Sequence, residues 1–106
     1  MEQEKILKIA EEYGELRKTT EELMSMKNRL ERIKSERRQE LQGFVQSCCD
    51  EVATRKLINE AARSNPNTFE GLFEVMGFLS GDGFVIKCLS EDTKKIFWVK
   101  NFLSRL

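Results

Sequence analysis

Ser80-Gly81-Asp82-Gly83-Phe84-Val85-Ile86-Lys87-Cys88-Leu89 is the stretch whose reading decides the fold class. Two glycines around an aspartate permit positive φ and read as a tight turn. Phe84 to Leu89 then forms a short apolar run bounded by turn residues. It sets Phe84, Ile86 and Cys88 on one side and Val85, Lys87 and Leu89 on the other, the alternation of a strand. Phe78 and Leu79 enter the turn from the other side and supply a second strand. On this reading the chain is α+β.

Working outward, Thr68 can cap a short helix from Phe69 to Met76, with Phe69, Leu72, Phe73 and Met76 on one face and Gly77 as its left-handed stop. Downstream, Ser90 to Thr93 begins a final helix that runs into KKIFWVKNFLSRL, Lys94 to Leu106. At 100° per residue, Ile96, Trp98, Val99, Phe102, Leu103 and Leu106 share one arc of about 160°, leaving Phe97 near the polar side. The result is a small helix–β-hairpin–helix head over 64–106. Its core and partner interface are assigned to Phe73, Phe84, Ile86, Ile96, Trp98, Val99, Phe102, Leu103 and Leu106. An isolated two-stranded hairpin is marginal, so part of the terminal arc is expected to be covered by the head of a partner chain.

The rest of the chain, 1–63, reads as a coiled-coil helix. No proline interrupts it, and only Gly14 and Gly43 weaken it, each by about 1 kcal/mol against alanine. Ile6, Ile9, Tyr13, Leu16, Thr20 and Leu23 recur in alternating steps of three and four, a heptad seam. Leu23 is followed by Met26, Leu30 and Ile33, which amounts to a three-residue stammer. The seam continues through Leu41, Phe44, Cys48 and Val52, and Ser64 to Asn67 is the first breaker. So long a helix cannot cover a one-sided stripe by itself. Another chain's helix is expected on Ile6, Ile9, Tyr13, Leu16, Leu23, Met26, Leu30, Ile33, Leu41 and Phe44.

Composition excludes several classes. The 106 residues carry a formal net charge of zero, which argues against broad nucleic-acid binding, because displacing counterions from phosphates needs surplus cations. The run Lys27 to Arg38 holds six basic against two acidic residues, and Met1 to Met26 holds seven acidic against four basic. That pattern reads as a solvated coiled-coil surface, with a DNA-reading basic region as the sharper alternative. No apolar run of eighteen residues is present, and the first residues lack the layout of a secretory signal; a nuclear or cytoplasmic location is expected. With no histidine and three cysteines, of which Cys48 and Cys49 point about 100° apart on a helix, neither a metal site nor a cofactor is expected. The glycines of GFLSGDG lack the Gly-Lys-Ser/Thr of a phosphate loop. The chain is read as having no catalytic residues.

Leu72-Phe-Glu-Val-Met-Gly-Phe78, a small β element, and Lys95 to Leu106 with Phe97, Phe102, Leu103 and Leu106 follow one another after a coiled-coil helix. This layout resembles the short Spc-type subunits of the Ndc kinetochore complex, the smaller one most closely. The resemblance implies an obligate heterodimer with a second coiled-coil subunit bearing a similar head, heads that dock on centromere-anchored receptors, and a stalk end that joins the microtubule-binding subunits. It also implies a place at the kinetochore in the nucleus, during mitosis and chromosome segregation, with no membrane and no direct nucleic-acid contact. The family's heads hold more β strand and its stalks are longer, and no motif here fixes receptor-contact residues. The expected function is therefore a non-enzymatic coiled-coil adaptor of a kinetochore linker. The alternatives are a generic homodimeric coiled-coil scaffold or a nucleic-acid-binding coiled-coil dimer.

Overall fold

A computed structural model describes residues 1–106, and it contains no strand: the chain is 90% helical. Six helices follow in order, α1 Glu2–Cys48, α2 Glu51–Ser64, α3 Pro66–Ser80, α4 Asp82–Cys88, α5 Glu91–Lys94 and α6 Phe97–Ser104. Two units are distinguished, Met1–Arg37 and Arg38–Leu106.

The hairpin reading fails at the stretch that carried it, and the α+β assignment with it. Phe84 to Cys88 belongs to α4, and Phe78 and Leu79 lie in the last turn of α3. A lone apolar strand would leave its backbone groups unpaired, whereas a helical turn satisfies them internally: Val85 N–H donates to Gly81 C=O at 3.3 Å and Leu89 N–H to Ile86 C=O at 3.1 Å. Burial follows the helical spacing, with Val85, Cys88 and Leu89 inside and Phe84 and Ile86 half-buried. A bounded apolar run of this length fits either state by periodicity alone. Gly81 supplies the sharp bend, but between two helices: at φ 89° and ψ 144° it ends α3 and starts α4. Gly77 is not the stop. It sits inside α3, where an added Cβ would collide with the Asp82 carboxylate.

The long first helix also ends earlier than Ser64. Asp50 is the N-cap of α2, its Oδ1 accepting from Ala53 N–H at 2.8 Å, and the chain breaks over Cys49 and Asp50. An aspartate side chain offers the orphan donors of a new helix an acceptor that the running helix cannot. Asn65 repeats the device for α3, its Oδ1 accepting from Asn67 N–H at 2.8 Å, with Pro66 in the first helical position where its missing N–H costs nothing.

The unit Arg38–Leu106 closes around one core. Helices α2, α3 and α4 pack pairwise. From α2 come Ile58, Ala61 and Ala62; from α3 Phe69, Phe73, Val75 and Met76; from α4 and its exit Val85, Cys88 and Leu89; from α6 Val99; and from the end of α1 Val45. The small alanines of α2 let helix axes approach closely. Phe69 is the hub, with ring centroids 5.1 Å from Trp98, 5.5 Å from Phe102 and 5.8 Å from Phe73; the first two pairs are edge-on. Phe73 meets Phe102 edge-on at 5.1 Å. Such pairs add about 0.5–1.5 kcal/mol beyond the area they bury.

The buried polar residues Asn59 and Thr93 are held by side-chain hydrogen bonds, and no buried side-chain polar atom lacks a partner. Asn59 does most of this. Its Nδ2 donates to Arg55 C=O at 2.6 Å and to Cys88 C=O at 3.0 Å, and its Oδ1 accepts from Ser90 N–H at 2.9 Å. One amide on α2 thus ties down the exit of α4. Ser90 then caps α5, its Oγ accepting from Thr93 N–H at 3.1 Å, with the Thr93 hydroxyl 2.8 Å away.

Candidate pairing surface

Met1–Arg37 is helix throughout after Met1, and every residue in it is exposed apart from the half-buried Ser35. Local devices support it: Arg17–Glu21 and Arg32–Glu36 ion pairs one turn apart, at 3.4 and 4.0 Å. The Thr19 and Thr20 hydroxyls also bond back to Glu15 C=O and Leu16 C=O. Exposed ion pairs of this kind contribute about 0.3–0.5 kcal/mol each. They do not account for the apolar residues. Leu16 is 67% exposed, Leu23 60% and Leu30 63%, and Ile6, Ile9, Tyr13, Met26 and Ile33 are likewise in contact with water.

These residues share a stripe by construction. Steps of three and four give a period of 3.5, short of the 3.6 of a straight helix, so the stripe drifts by about 20° per heptad and stays on one side only if the helix supercoils around a partner. The helix runs unbroken through Cys48, and two continuations of the stripe past Leu23 lie on it side by side. One is the apolar line Met26, Leu30 and Ile33. The other keeps the strict spacing and passes through Lys27, Leu30, Lys34 and Arg37, then Leu41, Phe44 and Cys48. Both lines border one shallow groove, lined by Leu23, Met26, Lys27, Leu30, Glu31 and Lys34. Lys27 and Lys34 were missed as seam residues because only apolar positions were followed; their spacing of seven was the available signal.

The lower seam residues have a different fate. Leu41 is half-buried and Val45 buried against the core of Arg38–Leu106, while Phe44 stays 64% exposed. Among the residues assigned to the head, Phe73 and Val99 are buried and Phe84, Ile86, Ile96, Trp98, Phe102 and Leu103 half-buried, all in or against that same core. The terminal arc is thus largely covered from within the chain, by Phe69 and Phe73 of α3. Leu106 remains exposed, and Phe97 points away as expected. Leu106 also lines a recess with Phe73 and Phe102, rimmed by Glu70, Glu74 and Asp82.

The cysteines are distributed as Cys48 exposed, Cys49 half-buried and Cys88 buried. Burial pushes the Cys49 thiol above its ordinary value, with Cys48 and Asp50 adding to the effect. Burial also raises Cys88, opposed in part by Arg55. Both shifts hold the thiols in the unreactive neutral form. No group of three or more His, Cys, Asp or Glu side chains is placed to hold a metal ion, and no helix is long and apolar enough to cross a membrane.

No protein-family model, no curated protein and no solved structure matches this chain.

Proposed function

We propose that the chain is a non-enzymatic coiled-coil adaptor. Residues Met1–Arg37 pair with a helix of another polypeptide, and the helical unit Arg38–Leu106 travels with that pairing as a folded module. The observation that carries the reading is the exposure of heptad-spaced Ile6, Ile9, Tyr13, Leu16, Leu23 and Leu30 on a helix that offers them no cover. Transfer from water is worth about 1.5–3 kcal/mol for each large aliphatic side chain, so a partner helix that covers the stripe gains several such increments at once.

A kinetochore linker is one setting for such an adaptor, and the aromatic terminal helix with Phe97, Phe102, Leu103 and Leu106 supports it. The α/β head that the same resemblance implies is not what Arg38–Leu106 forms, so the proposal rests on the pairing helix rather than on the family.

The test is a pair of aspartates in the stripe. Leu16→Asp/Leu23→Asp is expected to abolish recovery of a helical partner from a native extract, while the near-ultraviolet circular dichroism of Trp98, which reports the core of Arg38–Leu106, is unchanged. Partner recovery indifferent to both substitutions would remove the adaptor reading.

A further inference from the structure

The groove beside Leu23, Met26 and Leu30 carries two lysines seven residues apart, at the positions where a strict heptad seam meets its neighbour. From this geometry we propose that the occupant is the helix of a different chain, apolar opposite Ile6 to Leu23 and acidic opposite Lys27 and Lys34. The inference rests on the coiled-coil reading above and adds the chemistry of the partner.

A second copy of this chain is a poor occupant. In a parallel two-stranded coil, seam residues of one class meet their own kind, so Lys27 would face Lys27 and Lys34 would face Lys34 in a partly dehydrated layer. Glu31 is the only acidic residue lining the groove, against two lysines. Reversing the copy does not help. Seam positions of the lysine class then face those of the class of Ile9, Leu16, Leu23, Leu30 and Arg37, none of which is acidic. Either way an ammonium group must leave the seam along its own stem or sit against hydrocarbon.

An acidic helix resolves both layers at once. Carboxylates opposite Lys27 and Lys34 replace two repulsions by two attractions, and they fix the register, because sliding by one heptad would set a lysine against an apolar residue and a carboxylate against another. The apolar half from Ile6 to Leu23 provides the adhesion, and the lysine half selects the partner. The intrahelical pairs Arg17–Glu21 and Arg32–Glu36 leave these two lysines out.

The chain itself supplies the probe. Sedimentation equilibrium is run on the full native chain, on a Lys27→Glu/Lys34→Glu copy, on an equimolar mixture of the two, and on a Lys27→Leu/Lys34→Leu copy, with circular dichroism confirming the helices of each. The native and glutamate copies are expected to stay monomeric at concentrations where their mixture forms a one-to-one dimer, at least about tenfold tighter than either self-association. High salt weakens the mixture, and the leucine copy self-associates. A native chain that dimerises as tightly as the mixture overturns the heterotypic inference and leaves the coiled-coil reading standing. A dimeric leucine copy beside a monomeric mixture overturns the acidic complement alone. Four monomers, the leucine copy included, overturn the coiled-coil reading with it.

Discussion

Leu16 and Phe69 are both large apolar residues on helices, and they live in opposite surroundings. Leu16, in Met1–Arg37, is 67% exposed; Phe69, in Arg38–Leu106, is at 0% and touches three other rings. The first unit has a heptad stripe and nothing to lay it against. The second brings α2, α3, α4 and α6 around one core, with its buried side-chain polar atoms all paired. The difference is the reason the proposed pairing is placed on the N-terminal helix. The aromatic arc of the last helix, part of which was expected to lie under a partner's head, meets Phe69 and Phe73 of α3 in the same chain, with Leu106 left exposed.

The sharpest way to break that contrast is to truncate both residues. Phe69→Ala is expected to destabilise Arg38–Leu106 by about 3–5 kcal/mol, through lost burial and the cavity left among Phe73, Trp98 and Phe102. Leu16→Ala in the dilute, unpartnered chain removes nothing that is buried and is expected to fall within about 0.5 kcal/mol. Urea titration followed by Trp98 fluorescence reads both. Equal costs would mean that the stripe is already covered in solution, and the contrast would be lost.

Next in size is the amide that fastens α2 to the turn after α4. Asn59→Ala strands the Ser90 N–H and takes one donor from the Cys88 C=O, an expected loss of about 1–3 kcal/mol. Amide hydrogen exchange should locate the damage, with Ser90 losing protection before the amides of α3. Uniform loss would show that Asn59 matters to the whole unit rather than to its fastening. The side-chain bonds of Thr19 and Thr20 in Met1–Arg37, by contrast, reach back a single helical turn.

What the sequence disclosed divides along the same line. The stripe from Ile6 to Leu30 is legible because a period of 3.5 is a one-dimensional signal, and Phe69, Phe73 and Met76 share a face in the same way. The α+β assignment failed where the signal is ambiguous. Phe84-Val85-Ile86-Lys87-Cys88 alternates like a strand, yet Val85, Cys88 and Leu89 also stand three and four apart, and only the neighbouring helices choose between the two. Asp50 was legible in principle, since a short polar residue before Glu51 is a helix start, but it stood inside a stripe that could be followed straight across it. Asn59 was not legible at all. Its partners lie 29 and 31 residues away, and no local pattern announces a side chain whose task is to satisfy a distant turn.

Two glycines are expected to act with opposite signs, Gly81 on the scale of Asn59 and Gly14 with the smallest effect of all. Gly81 sits at φ 89° and ψ 144°, a backbone state that side chains rarely tolerate, and it is the hinge between α3 and α4. Gly81→Ala has open space around its new Cβ, so any cost is backbone strain, about 1–3 kcal/mol. Gly14 also has open space, but inside a continuous helix with ordinary dihedrals. Gly14→Ala therefore removes only the flexibility of the unfolded chain and should raise the stability of that helix by up to about 1 kcal/mol. Far-ultraviolet circular dichroism on warming separates the two, with the low-temperature fraying of the N-terminal helix reduced in Gly14→Ala and the cooperative step of Arg38–Leu106 lowered in Gly81→Ala. A Gly14→Ala chain that also pairs more tightly with the acidic copy would show that the helix is only partly formed before its partner arrives, because ordering it beforehand removes part of the cost of association.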